Sequence, residues 1–214
     1  FSDIIKHANN LKSFNLKAVI VNYNDEQQAN LSGRYQIENA NLKHSGTSWR
    51  ADGQVFLPIS LGGDIEFSTN WTLNQQNMNL MEWQGKIKTN KVFISPLSDY
   101  LNWKNITVEK GLINSTIAIE GVGLEVREAK LDIELSQAML ASKEMGDVLK
   151  PIDVEYFEGN FHWKDQELGD SWLFSGNDIN LSIKGEVWAG SSLTLIKKPE
   201  DVMIKSDFFR IEQL

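Results

Sequence analysis

Leu131-Asp132-Ile133-Glu134-Leu135 and Ile179-Asn180-Leu181-Ser182-Ile183-Lys184 alternate apolar and polar residues one for one. Successive side chains of an extended strand point to opposite faces, so each stretch predicts a strand with one dry face and one wet face. The rhythm continues away from them. Ile113, Ile117 and Ile119 share one parity with Ser115, and Ile65, Phe67, Trp71 and Leu73 share another with Thr69. No strand–helix–strand alternation runs through the chain, which sets aside a parallel α/β fold. The fold class expected is all-β and mainly antiparallel.

Glycines punctuate the alternation. Gly62-Gly63, between Ile59-Ser60-Leu61 and Asp64-Ile65-Glu66-Phe67, predicts a two-residue hairpin turn, because both central positions accept positive φ. Gly121 and Gly123 predict a second reversal before Leu124-Glu125-Val126. A looser echo places Gly53, Gly85, Gly111, Gly159 and Gly185 each ahead of an alternating run, which reads as repeated turn-then-strand units in a long meander. Helical signals are short. Ser95-Pro96 ahead of Leu97, Tyr100 and Leu101 predicts one or two turns, and Ile4 to Leu11 and Met139 to Leu149 are weaker candidates.

With 214 residues, 41% hydrophobic and 23% charged, the chain is apolar enough to fold. The expectation is a single β-rich domain over 1–214, or two continuous lobes of about 1–105 and 106–214. No run approaches the roughly 18 to 20 apolar residues that cross a bilayer, and Phe1-Ser2-Asp3-Ile4-Ile5 lacks the features of a signal peptide. Lacking an initial Met, and still alternating at Arg210-Ile211-Glu212-Gln213-Leu214, the chain reads as a region excised from a longer protein. The net charge of −8, with Lys197-Lys198 as the one adjacent basic pair, argues against nucleic acid as partner. Absence of cysteine removes disulfides, thiol nucleophiles and Cys-ligated zinc together.

Catalytic motifs are missing. His7, His44 and His162 are scattered without metal-ligand spacing, and no nucleophile elbow, phosphate loop or dinucleotide fingerprint is present. Asp25-Glu26, Glu125, Glu128 and Glu155/Glu158 are nominal carboxylate candidates, but an acidic protein carries many solvated ones. The reading is therefore non-enzymatic, with no catalytic residue, no metal and no cofactor. Asn-x-Ser/Thr matches at Asn30, Asn70, Asn105, Asn114 and Asn180 are discounted, three of them falling inside expected strands. The seven tryptophans, at 49, 71, 83, 103, 163, 172 and 188, suit core packing, an apolar groove or a sugar-stacking platform.

Trp83-Gln84-Gly85-Lys86-Ile87, then Val92-Phe93-Ile94-Ser95-Pro96-Leu97-Ser98-Asp99-Tyr100-Leu101, then Gly111-Leu112-Ile113 resemble the AsmA-like superfamily, especially its YhdP-type, TamB-related members. Ala129-Lys130-Leu131-Asp132-Ile133-Glu134-Leu135 and Phe174-Ser175-Gly176-Asn177-Asp178-Ile179-Asn180-Leu181 are similar to the repeated pattern of that group. The resemblance covers about residues 50 to 190 and rests on degenerate β-patterns. It implies a long curved antiparallel sheet forming an open groove or half-pipe with one or two short helices. It also implies a periplasmic segment of a Gram-negative envelope protein, anchored in the inner membrane by parts outside this sequence, that handles phospholipid on its way to the outer membrane. Partners would be phospholipid or another acyl-chain ligand and neighbouring domains of the same chain. The groove would be lined by Ile117, Ile119, Leu131, Ile133, Leu135, Ile179, Leu181 and Ile183. The alternation serves equally for a closed β-sandwich, for a carbohydrate-binding module using Trp172 or Trp188, and for a purely structural assembly domain with exposed sheet edges.

Overall fold

The computed structural model describes residues 12–27, 29–72, 81–98, 106–142, 151–166, 171–198 and 201–207. Eleven strands follow one another: β1 Ser13–Tyr23, β2 Gly33–Ser45, β3 Ser48–Phe56, β4 Asp64–Thr72, β5 Glu82–Phe93, β6 Ile106–Val122, β7 Glu125–Ser142, β8 Ile152–Gln166, β9 Ser171–Ile183, β10 Glu186–Lys198 and β11 Asp201–Ser206. Each pairs antiparallel with the next, so sheet order equals chain order. The result is one long, curved, open meander. Strands β5 and β6 pair from Glu82↔Val122 to Phe93↔Leu112, so the sheet runs on unbroken from one to the other.

Local chemistry explains the meander. Gly46-Thr47, Gly123-Leu124 and Lys184-Gly185 are two-residue connections, with Gly46, Gly123, Lys184 and Gly185 all at positive φ. Such turns twist in the sense that flanking strands need. The reversal expected at Gly121 and Gly123 forms here, on Gly123-Leu124.

Gly62-Gly63 also adopts positive φ, 65° and 55°, but closes a seven-residue connection rather than a two-residue hairpin. Ile59-Ser60-Leu61 is not a strand. Pro58 has no N–H to give a ladder, and its carbonyl instead accepts from the N–H groups of Leu61 and Gly62.

The turn expected at Ser95-Pro96 forms as a single 3-10 turn, Ser95–Leu97, with Ile94 rather than Ser95 at the N-cap position, and Ala29–Leu31 is another among the described residues. Other expectations are corrected. Tyr100, Leu101 and the segment Ile4 to Leu11 lie outside the described residues. Met139 to Ser142 is not helical but the end of β7, because β6 and β8 flank it and supply ladder partners: Lys110↔Met139 and Met139↔Asp153. Its continuation to Leu149 is likewise outside the described residues. Gly53, Gly85, Gly111 and Gly159 sit inside strands, not at turns; only Gly185 precedes one.

These interior glycines make room for rings. A Cβ on Gly53 would sit 2.8 Å from Phe67, one on Gly121 would sit 2.5 Å from Trp83, and ones on Gly159 and Gly176 would each sit 2.9 Å from Phe161. An aromatic ring lying over a neighbouring strand's glycine keeps its packing while the glycine keeps the backbone close.

Burial shows a single layer. Glycine and proline aside, only seven apolar residues are buried among the described ones. Leu61, Val92, Ile94, Val108, Ala138 and Val154 gather near the end of β5, the start of β6 and the adjoining β7 and β8, and Trp49 sits at the opposite end of the strands. A sandwich of this size would bury far more, and no second sheet is present among the described residues.

Candidate functional site

Directly opposed residues of an antiparallel pair project from the same face, so the registers assign every strand residue to a side. One row runs Val55, Ile65, Thr89, Ser115, Ile133 and Gly159 across β3 to β8. The next runs Gly53, Phe67, Ile87, Ile117, Leu131, Phe161, Gly176 and Leu193 from β3 to β10. A third runs Ala51, Thr69, Gly85, Ile119, Ala129, Trp163, Phe174 and Leu195. All three belong to one apolar face.

The eight residues singled out from the sequence fall on that face. Ile117 opposes Leu131, Leu135 and Leu181 flank Phe157, Ile183 opposes Val154, and Ile119 and Ile133 lie in the rows above. Ile179 packs toward the same side, close to where a Cβ on Gly159 or Gly176 would lie. Every one is half-buried, and Ile87 in the middle of the face remains 42% exposed.

Local backbone irregularities preserve this face over long strands. Lys91, Gln137 and Asp178 adopt positive φ inside strands, and the registers shift beside Lys91 and Asp178. A bulge inserts one residue and lets the next apolar side chain regain the dry side: Val92 follows Lys91 in this way, opposite Ile113. Asn114 accepts the Lys91 N–H at 2.7 Å, which offsets part of the cost of the left-handed residue.

The aromatics were the weaker part of the sequence reading. Phe67, Trp83, Phe157, Phe161, Trp163 and Phe174 share the face with the eight aliphatics, and the signal that could have found them is the glycine opposite each cluster. His44 stacks on Trp49 at 4.3 Å and Trp49 on Trp71 at 6.0 Å, with interplanar angles of 20° and 6°. Trp172 is half-buried, while Trp103 and the Trp188 side chain lie outside the described residues.

The opposite face is polar and carries the concavities. One of about 980 Å³ is lined by Asn70, Gln84, Glu120, Arg127, Glu128, Lys164 and Asp165, with Trp71, Trp83 and Val122 at its side. A second, about 370 Å³, lies among Lys88, Asn90, Asn114, Asp132, Glu134, Glu158, Asn160 and Asp178.

Glu128 is the electrostatic centre there. Lys130 Nζ at 2.7 Å holds its carboxyl below the usual range; burial opposes this, and a bond from His162 Nε2 at 2.9 Å adds to it. The same contact raises Lys130. Lys164 stands 3.9 Å from the other oxygen. Tyr156 donates to Glu158, pushing the phenol up to about 12 and the carboxyl down, and Asn180 donates to Glu158 at 2.5 Å.

Three other carboxylate candidates have structural partners, while Glu26 is exposed. Glu155 accepts from Ser182, Glu125 pairs with Arg127, and Asp25 accepts from Tyr23 and from the Gln27 N–H. His7 lies outside the described residues. Among the described residues no group of three or more acidic or histidine side chains is placed to hold a metal, and no helix is long and apolar enough to cross a membrane.

No family model, no curated protein and no solved structure matches the chain.

Proposed function

We propose that this protein binds phospholipid by laying its acyl chains on the apolar face of the sheet, and that the face conducts lipid along the direction in which strands succeed one another. The observation that carries the reading is the apolar face itself, continuous from β2 to β10, half-exposed and uncovered by any other described element. Strands repeat about every 4.8 Å, so an extended acyl chain of about 20 Å covers roughly four of them. Neighbouring strands present the same aliphatic and aromatic surface, so a bound chain meets no step from one site to the next. That equivalence is what sliding needs and what a closed pocket lacks.

An open apolar sheet of this kind suits a segment working between two membranes, at the periplasmic face of an inner-membrane-anchored parent, which is what the resemblance to AsmA-like proteins implies. The net charge of −8 fits a protein that holds lipid by its tails rather than by anionic headgroups. The polar face, with its paired charges around Glu128, is then the side turned to water.

Native mass spectrometry of the protein after incubation with phosphatidylethanolamine vesicles, with lipid extraction of the same sample, tests the reading. Phospholipid retained at defined stoichiometry, and lost in Ile133→Asp and Leu181→Asp variants that keep the native circular dichroism, is the expected result. A lipid-free mass, or retention unaffected by both substitutions, refutes it.

A further inference from the structure

Given the acyl-chain reading above, on which this step rests, we infer that the cavity of about 980 Å³ holds the headgroup of the bound lipid and selects a zwitterionic one, a phosphate joined to an ammonium, over an anionic one. The cavity lies where the two faces meet. Trp49, Trp71, Trp83, Gly121 and Val126 oppose one another in turn and form the last row of the apolar face at this end of the strands. Trp71 and Trp83 also border the cavity, whose other walls are charged. The Trp83 indole N–H donates to the Gly123 carbonyl at 3.0 Å, so its polar edge is satisfied and its ring stays apolar. Tryptophan suits such a boundary, dry at one end and wet at the other. At the opposite strand ends Leu61, Val92, Ile94 and Val108 are buried, so the polar exit for a lipid lying along the rows is the Trp83 end.

A bulge delivers the cation. Glu120 opposes Glu128 and Gly121 opposes Val126, so Arg127 is an extra residue with no partner on β6. Bulges re-aim a side chain, and Arg127 and Glu128, adjacent in sequence, both line the cavity. A guanidinium carries five N–H donors. Among the described residues the Arg127 side chain gives one hydrogen bond, from Nη2 to Glu125 at 3.3 Å. Asp165 stands 3.8 Å from Nη1, and the buried Nε has no partner. Both distances exceed the roughly 2.7–2.9 Å of a strong charge-assisted pair, so the guanidinium is held in place yet keeps donors for a phosphate.

Charge decides the class of headgroup. Lys130 and His162 engage Glu128 closely, which leaves Arg127 and Lys164 beside Glu82, Glu120 and Asp165. A phosphate fits the two cations, and an ammonium on the same ligand fits the carboxylates. A phosphoethanolamine headgroup therefore meets both signs. A phosphoglycerol headgroup brings the phosphate alone, leaves the carboxylates unanswered and is repelled by them; an unpaired charge of this kind is how a site rejects the wrong partner.

Single-chain lipids sharing one acyl chain separate head from tail: lysophosphatidylethanolamine, lysophosphatidylglycerol and the uncharged monoacylglycerol. Displacement of a fluorescent fatty-acid probe, below each critical micelle concentration, gives their Kd values. Lysophosphatidylethanolamine is expected to bind at least about tenfold tighter than either of the others, as charge-assisted hydrogen bonds allow. Arg127→Gln should reduce it to the monoacylglycerol value while monoacylglycerol itself is unchanged, which also shows that the variant is folded. Asp165→Lys should turn the preference toward lysophosphatidylglycerol. Should Arg127→Gln fail to fold, Lys164→Gln, at a side chain 57% exposed, decides by the same comparison. Equal binding of the three lipids, or a preference for lysophosphatidylethanolamine that survives these substitutions, overturns the headgroup site and leaves the acyl reading standing. No displacement by monoacylglycerol overturns the acyl reading and the headgroup site together. Calorimetric titration with glycerophosphoethanolamine, the headgroup without its tail, should give a Kd at least about tenfold weaker than that of the lysolipid. Equal affinity would assign the cavity to a free phosphate compound instead of a lipid.

Discussion

If acyl chains lie on an open face, affinity must grow with chain length at a rate set by the geometry of that face. A fully buried methylene contributes about 0.8 kcal/mol. The sheet is a single layer among its described residues, so a chain lying on it has one side against Ile117, Leu131 and Phe161 and the other toward water. About half of each methylene is removed from solvent, which gives about 0.4 kcal/mol, or roughly a twofold change in Kd per carbon. From a 12- to an 18-carbon single-chain lipid the affinity should rise about 60-fold. No plateau is expected, because ten strand spacings of about 4.8 Å exceed the length of such a chain. Displacement of a fluorescent fatty-acid probe across a chain-length series, held below each lipid's critical micelle concentration, measures the slope. A slope near zero would refute acyl recognition, and one near 0.8 kcal/mol per carbon would refute the open face by requiring full enclosure.

Three other outcomes follow from particular contacts. Gly63→Ala should cost at least about 3 kcal/mol: a left-handed non-glycine residue costs about 1–2, and its Cβ would lie 1.8 Å from the Asn90 carbonyl oxygen, forcing β4 and β5 apart. Gly185→Ala, with φ 80° and open space around it, should cost only that backbone share of about 1–2 kcal/mol, and urea denaturation of the pair isolates the clash. Glu128 is held below the ordinary carboxylate value, so it contributes stability above that value and loses it as pH falls through the lowered one. Between about pH 6 and pH 3 the native protein should therefore lose more stability than Glu128→Gln does, and thermal melts of both across that range check the sign. In an ultraviolet titration Tyr156 should ionise late, near the value of about 12 set by the Glu158 hydrogen bond, while burial raises Tyr35 as well. Tyr156→Phe should remove that late phase and Glu158→Gln should advance it. The stabilisation it reports is complete below the ordinary phenol value of 10 and disappears toward 12.

Alternation made the strands around Ile65, Ile117, Ile133 and Leu181 legible, because a period of two is a property of the extended backbone and needs no partner, and the lack of strand–helix–strand rhythm gave the antiparallel class. That is why Ile117, Ile119, Leu131, Ile133, Leu135, Ile179, Leu181 and Ile183 could be grouped in advance and fall on one face. Three features depended on neighbours distant in the chain. Met139 reads locally as helix but extends β7, since partners on both sides outweigh a weak intrinsic preference. Gly53, Gly111 and Gly159 read as turn residues, yet they lie mid-strand; rings from neighbouring strands occupy the space above Gly53 and Gly159, and Ile94 and Ala138 that above Gly111. The choice between an open sheet and a closed sandwich was also beyond the sequence, because the same alternation serves a face covered by a second sheet and a face left open. What decided it is that every described strand pairs with its chain neighbours, so all eleven enter one layer and, among the described residues, none forms another.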